Sequence, residues 1–321
     1  VLTGRYTEIT INSRLRLILL VAMPVVLSLL VCLAFQADGN LYNTLGIVID
    51  RDSLPFMVAD DTLKLMFAFA CAAFWVGIFN SVQEISKERI IYERERFTGV
   101  KPVPYVMSKF TVIGILCFVQ SVIMVGMLLF FTTTTATVDG NVDSITAISL
   151  SITENGVVLG DGLAWLELFM TTFLAIMSAM CLGLAISSAV SNEMALVVCP
   201  VCLLPQILFS GVACTLSGIT ETISKIVTCR WACIAYLTTS GINDMYYSCY
   251  YDTGTWVKTE FENGFGVDEA YSATTSYIFG LDPVSSSWVV LGIMSLVCVI
   301  AAVLFLYIKG IRIRPAIKKS K

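Results

Sequence analysis

The chain has 321 residues, carries a formal net charge of −4, and is 57% hydrophobic with only 14% charged residues. Soluble domains carry about 25% charged residues, so this composition excludes an ordinary soluble protein. Several apolar runs reach the roughly 20 residues that a helix needs to cross a bilayer, which indicates an integral membrane protein. The sequence contains no histidine, so it lacks the commonest general base and the commonest metal ligand.

Six membrane spans are predicted from the apolar runs. In chain order they lie at about residues 17–35, 62–79, 110–131, 165–189, 195–213 and 288–308. An amphipathic lead-in, residues 1–16, precedes the first span, and a long polar segment, residues 214–287, separates the last two. The predicted fold is an all-α membrane protein with six transmembrane helices, a cytoplasmic amphipathic helix after the second span and a long external loop before the sixth.

The orientation of these spans follows from the lysine and arginine residues. The lead-in, the segment 80–109 and the tail after the sixth span hold 15 of the 20 basic residues. Because cytoplasmic loops of membrane proteins carry an excess of lysine and arginine, both termini are predicted to be cytoplasmic. The sequence has no Asn-x-Ser/Thr acceptor for glycosylation, which favours a bacterial cytoplasmic membrane.

The segment 80–109 carries charges of both signs between two apolar runs. Arg89 and Glu93 stand four positions apart, the spacing of ion pairs on a helix surface. Gly99 and Pro102 end this pattern, so it predicts one surface helix over 84–97 and then a turn. The helix is either an ordinary solvated loop helix or a rigid lever that couples the membrane part to another domain. Its apolar residues are left to cover an apolar neighbour: Ile85, Ile91, Tyr92 and Phe97.

The same segment carries a family resemblance. The residues that match, in order, are Glu88, Tyr92, Arg94-Glu95, Gly99, Tyr105 and Ser108-Lys109. With them the chain resembles the transmembrane domain of ABC-2 type transporters, particularly the G-like (white/pleiotropic drug resistance) branch and its bacterial relatives. A weaker match lies at 205–211 and at Arg230-Trp231. The resemblance extends over the whole chain, 1–321, as one transmembrane domain.

That resemblance implies that a separate ATPase domain supplies the energy for transport. The sequence has no phosphate-binding loop or other catalytic motif, so the chain itself is not expected to be an enzyme. ATP and Mg²⁺ are expected on a partner ATPase domain, either upstream of Val1 or on a separate subunit. The residues expected to couple the chain to that domain are Glu84, Glu88, Tyr92, Arg94, Glu95 and Glu193. Glu193 has the alternative reading of a solvated acid in a short turn.

A cargo cavity is expected between the second and fifth spans of two copies, or of two related chains, because the family works as a dimer. Its candidate lining residues are Phe67, Phe74, Trp75 and Asn80 in the second span, and Pro205, Gln206 and Phe209 in the fifth. For each aromatic residue, plain packing against lipid or another helix is the alternative. Ala73 and Gly77 form a small-residue pair that permits close helix contact.

The external segment 214–287 is predicted to begin with one helix over 219–237. It resembles the helices that dip back into the outer leaflet in G-type transporters, with Trp231 at interface depth; the alternative is an amphipathic helix lying on the bilayer. The rest is expected to form a small external cap. Cys229 or Cys233 can pair with Cys249 in an oxidising compartment, free thiols being the alternative, and no metal site is expected.

These patterns favour an ATP-driven exporter of hydrophobic or amphipathic cargo that works by alternating access. Its expected partners are the ATPase domain, a second transmembrane domain and the lipid bilayer, with no nucleic acid. One rival is an ion-coupled transporter or channel, for which Glu167 is the only deep acid. A second rival is a membrane anchor or sensor that presents the external cap.

Overall fold

The computed structural model describes residues 2–44, 54–97, 99–135, 163–212, 218–240 and 283–318. Throughout these ranges the secondary structure is helical, without strands. The helices are α1 (Leu2–Asn12), α2 (Arg14–Thr44), α3 (Leu54–Ser81), α4 (Glu84–Lys87), α5 (Arg89–Phe97), α6 (Pro102–Thr135), α7 (Ala164–Ala189), α8 (Asn192–Leu208), α9 (Ile219–Ser224), α10 (Thr228–Thr239) and α11 (Pro283–Lys318).

Five stretches of helix are long and apolar enough to cross a membrane. They are Leu17–Ala34, Leu63–Lys87, Pro102–Phe130, Ala164–Ala189 and Pro283–Lys309, which correspond to the predicted first, second, third, fourth and sixth spans. The predicted fifth span corresponds to α8, which has only 17 residues and contains Pro200 and Pro205. At 1.5 Å per residue α8 rises about 25 Å, less than the roughly 30 Å hydrocarbon core, so the six-span count stays a prediction.

Helix α7 lies at the centre of the bundle and packs most extensively against α3 and α11. The α3–α7 contact is close because small residues face each other there. A Cβ added to Gly77 would lie 2.7 Å from the Cβ of Ala179 and closer still to the carbonyl oxygen of Ile176. A Cβ added to Gly183 would lie 2.9 Å from the carbonyl oxygen of Ile78. The close contact predicted from Ala73 and Gly77 is thus present.

Helix α10 is buried on every side, since all twelve of its residues are buried. It runs antiparallel to α7, as three side-chain contacts show. Thr239 donates to Glu167 (3.2 Å), Tyr236 donates to Thr172 (2.9 Å), and the hydroxyls of Thr228 and Ser178 lie 3.4 Å apart. The α7 residues of these contacts are eleven positions apart, so α10 follows α7 for about 16 Å.

The predicted helix over 219–237 is therefore wrong in detail. It is two helices, α9 and α10, separated at residues 225–227. The alternative of a helix lying flat on the bilayer is also wrong for α10, because such a helix has an exposed face. Along α10, Trp231 lies between Thr228 and Tyr236, which both contact α7. Its indole N–H donates to the carbonyl oxygen of Lys225 (2.9 Å). The remaining external residues, including the expected cap, lie outside the described residues.

Candidate functional site

The segment predicted as one coupling helix is two helices, α4 and α5, which meet at Glu88. Helix α4 is bound to the end of α7. The backbone amides of Ile85 and Ser86 both donate to the hydroxyl oxygen of Ser187, each at 3.0 Å. Because the first amides of a helix have no partner within the helix, one serine of α7 satisfies two of them.

A buried ion pair joins the break between α4 and α5 to the third span. The ammonium nitrogen of Lys109, in α6, lies 2.6 Å from a carboxylate oxygen of Glu88. The Lys109 side chain is only 1% exposed, while that of Glu88 is 22% exposed. The ammonium also lies 4.0 Å from the ring centroid of Tyr6 and 5.3 Å from that of Tyr105. Two aromatic faces and one carboxylate therefore replace the hydration of this buried cation.

Helix α1 is fixed to the same place. The Tyr6 hydroxyl donates to Glu84, and Arg5 pairs with Glu95. That hydrogen bond to Glu95 raises the pKa of Arg5. Tyr92 stacks on Tyr105 of α6 with 4.3 Å between the ring centroids, and burial raises the pKa of Tyr92. The predicted lead-in is thus an integral part of the coupling region.

Two cations bind the end of α7, and a third binds a carbonyl oxygen within α11. Lys309 donates to the carbonyl oxygens of Ser188 (2.7 Å) and Ala189 (2.5 Å), which end α7. Arg89 donates to the carbonyl oxygen of Val190 (3.5 Å), and Arg96 donates to that of Leu306 (3.1 Å) in α11. The last carbonyls of α7 lack intrahelical partners, so Lys309 and Arg89 act as C-terminal caps of α7 supplied from other helices, whereas Leu306 lies well inside α11. Sequence reasoning missed this role; the basic character of the tail was the available signal.

The predicted cavity residues fall into two groups. Phe74 and Asn80 are buried within the single chain, and the Asn80 amide donates to Gln120 of the third span (2.5 Å). Gln206 is also buried, whereas Phe67, Trp75 and Phe209 are half-buried and Pro205 is exposed. A surface formed by α3 and α8 is thus available to a second chain or to lipid, but Phe74 and Asn80 are not part of it.

Gln206, in α8, connects the predicted fifth span to the buried helix α10. Its side-chain oxygen accepts a hydrogen bond from the backbone amide of Cys229 (3.1 Å). Cys229 is the second residue of α10, where the amide has no partner within the helix. Gln206 therefore acts as an N-terminal cap that is supplied by another helix.

Comparison with known families decides the family of this chain. The model of the family described as ABC-2 family transporter protein matches residues 56–304. The chain belongs to the ABC-2 transporter family. A search of curated proteins found no match to the chain. Membership indicates an integral membrane protein that is the transmembrane component of an ABC transporter. The G-like branch within the ABC-2 family stays a prediction.

The residues expected to couple this ABC-2 chain to an ATPase fall into two groups, one in contact with other helices of the chain and one exposed. Glu84, Glu88, Tyr92 and Glu95 contact α1 or α6, as described above. Arg94 and Glu193 are exposed and free to meet a partner surface. Ile85 and Tyr92, which were expected to cover an apolar neighbour, are buried; Ile91 and Phe97 are exposed within the described chain, so their expected cover stays a prediction. The coupling role of all six residues stays a prediction.

The candidate disulfide falls only partly within the described structure. Cys229 and Cys233 are buried free thiols on α10. The Cys229 sulfur lies 3.8 Å from the carbonyl oxygen of Ala70 in α3. Cys249 lies outside the described residues, so its pairing with either thiol stays a prediction.

Replacing Gln206 with leucine is expected to destabilise the folded chain by about 2 kcal/mol, because the Cys229 amide would be left buried without an acceptor. The free energy of unfolding, measured by denaturation in mixed detergent micelles, checks this. Gln83→Leu is the matched control, since Gln83 is half-buried at the start of α4. Equal losses in the two variants would contradict a capping role for Gln206.

Proposed function

We propose that the chain is the transmembrane component of an ATP-driven exporter that moves hydrophobic or amphipathic cargo by alternating access. The observation that carries the proposal is the outer face of α5. Ile90, Ile91 and Phe97 are 67%, 49% and 68% exposed, and Arg94 is exposed beside them. Residues 90, 94 and 97 share one face of a helix because they are four and three positions apart.

The exposed apolar face of α5 suggests a binding partner. An exposed apolar patch that no other described helix covers commonly marks a docking site. The transmembrane components of this family usually work with an ATPase partner. We therefore assign the outer face of α5, together with the exposed Glu193 at the start of α8, as the docking surface for the ATPase domain, which supplies ATP and Mg²⁺.

The inner side of the same segment suggests how movement would be transmitted. A displacement of α5 would be carried to α6 through Glu88 and Lys109, and to α11 through Arg96. Arg89 would carry it to the end of α7. Because α7 packs closely against α3, helices on both sides of the bundle would move as one body. This is the behaviour that alternating access requires, since packed helices shift between discrete arrangements.

The second transmembrane domain is proposed to cover α8. The described helices that this helix contacts are α3, α4, α7 and α10. Its remaining surface exposes apolar residues: Leu196, Val197, Val201, Leu204 and Leu208. Together with the half-buried Phe67, Trp75 and Phe209, this surface would form the cargo cavity at the axis of a homodimer or heterodimer.

The decisive experiment begins with the native protein, purified from its own membrane in mild detergent. Its intact mass and the identity of copurifying proteins are expected to reveal an ABC ATPase on the same chain or on a bound subunit. The variant Ile90→Ser/Phe97→Ser is then expected to lower ATP hydrolysis by the complex about tenfold, the effect of losing roughly 1.4 kcal/mol at the docking surface.

Val103→Ser is the matched control, because Val103 is also an exposed apolar residue, 53% exposed at the start of α6, but lies outside α5. It is expected to leave ATP hydrolysis unchanged. A native chain with no ATPase attached or bound would sink the proposal. Normal hydrolysis in the α5 variant would show that the ATPase docks elsewhere.

A further inference from the structure

Arg230 is a buried cation in a part of the chain that the proposed coupling does not use. The residue is only 9% exposed and lies on α10, among apolar neighbours. Within the described residues, its guanidinium donates a hydrogen bond to the hydroxyl of Ser224 and forms no ion pair. The nearby acid Glu221 pairs with Lys225 instead, at 3.6 Å. Since a guanidinium has five N–H donors, most of its hydrogen-bonding capacity remains for another group.

The position of Arg230 along the bundle makes this arrangement costly. Its neighbours Thr228 and Cys229 contact Ser178 and Gln206. Ser178 lies 14 residues after the start of α7 and 11 residues before its end, which is about 21 Å and 16 Å along the helix. Arg230 is thus level with the middle of a membrane-spanning helix. Charges at this depth are rare and usually mark a binding or transport site.

The surface around Arg230 combines charge with apolar area. Lys225 lies in the turn between α9 and α10, and the acid Glu221 lies on α9 beside it; both side chains are about half exposed. With Arg230 they make two cations and one anion, a net charge of +1. Ile219 and Ile226 are strongly exposed beside this turn. A cationic centre bordered by bare aliphatic side chains is complementary to a molecule with an anionic group on an apolar chain.

We propose that the turn between α9 and α10 binds the anionic group of an amphipathic molecule, a carboxylate or a phosphate. Arg230 contacts the anionic group as a bidentate donor, as guanidinium does with both anions. Lys225 adds a second positive charge, and Ile219 and Ile226 contact the aliphatic chain. Ser224 holds the guanidinium in position. The inference narrows the cargo of the proposed exporter to amphipathic molecules with an anionic group. It rests on the proposed function only for the transport of the molecule after binding.

The test is a binding measurement on the full native chain in phosphatidylcholine nanodiscs, without ATP. The probe is 11-(dansylamino)undecanoic acid, and its methyl ester is the uncharged control. Energy transfer from tryptophan to the dansyl group reports binding, and Trp231 adjoins Arg230. We expect the wild-type chain to bind the acid at least tenfold more tightly than the ester. Arg230→Met is expected to abolish this preference while leaving ester binding unchanged.

Two further variants keep the test decisive if Arg230→Met does not fold. Arg230→Lys is expected to weaken acid binding several-fold, because an ammonium lacks the planar fork. Glu221→Gln is expected to strengthen it several-fold, because this change removes the competing carboxylate. Equal affinities for acid and ester in the wild type, or an unchanged acid preference in both variants, would overturn the proposal.

Competition identifies the source of the anionic group. Phosphatidylglycerol is expected to displace the probe, while inorganic phosphate at the same concentration is not, because it lacks an apolar chain. Equal displacement by inorganic phosphate would overturn the amphipathic part of the proposal. Because no step of this test involves ATP, its failure leaves the proposed exporter standing, and the absence of an ATPase partner leaves the binding site standing.

Discussion

Replacing Lys109 with methionine is expected to destabilise the folded chain by about 3 kcal/mol, because it removes one partner of a buried ion pair. Glu88 would lose its 2.6 Å contact, and the ring of Tyr6 would lose the cation that lies over it. The loss lies at the lower end of the range for broken buried pairs, since Glu88 is 22% exposed and can be partly hydrated. Denaturation in mixed micelles measures it, with exposed Lys101→Met as the control.

A double-mutant cycle separates the ion pair from the packing around it. Glu88→Gln is expected to cost more than Lys109→Met, because it removes the carboxylate that lies 2.6 Å from a cation that is only 1% exposed. Lys109→Met combined with Glu88→Leu is expected to recover much of the loss, since it leaves no charge of the pair behind. Losses that simply add would show that the two side chains do not interact. ATP hydrolysis by the complex, measured in the same variants, reports whether the pair also transmits movement.

Replacing Gly77 with alanine is expected to destabilise the chain by about 3 kcal/mol, because the backbones of α3 and α7 touch there. The added Cβ would collide with the carbonyl oxygen of Ile176 and lie 2.7 Å from the Cβ of Ala179. Neither is the flexible end of a side chain, so the two helices would have to move apart. The melting temperature in detergent and the free energy of unfolding in mixed micelles both measure the effect.

Gly126→Ala provides the control for this change. Gly126 lies in α6, and a Cβ added there meets nothing within 4 Å. This variant is expected to be neutral or stabilising by up to about 1 kcal/mol, the difference in helix propensity between the two residues. Similar behaviour of Gly77→Ala and Gly126→Ala would contradict the close contact of α3 and α7.

The spans and the segment 80–109 were predictable because their signals are local. Hydropathy and charge spacing are read within 20 residues, and five of the six predicted spans correspond to membrane-length helices. The break at Glu88 was not predictable, because it accompanies a contact with Lys109, 21 positions away, that no local pattern reports. The exposure of Phe97 depends likewise on which helices approach α5, and amphipathic spacing shows only that a helix has an apolar face.

The burial of α10 was hidden for a related reason. Its threonines, cysteines, Arg230 and Trp231 have the mixed character of a helix at a membrane surface. In the fold, its polar groups pair with Glu167, Thr172 and Ser178 on α7, some 50 to 72 positions away. The burial of α10 depends on these α7 residues, which are too distant in the chain for a local sequence pattern to report them. The role of Gln206 was hidden in the same way, since a lone polar residue in a span does not indicate what it binds.

The burial of α10 also constrains the order in which the protein can be made. This helix contacts α11 as well as α3, α7 and α8, but α11 begins more than 40 residues after α10 ends. During synthesis, α10 therefore leaves the ribosome before the helix that covers its last side. Its burial is complete only when α11 has entered the membrane. Completion of the last span is thus the step that closes the bundle, and a ribosome that stops before it leaves a polar helix with one side uncovered.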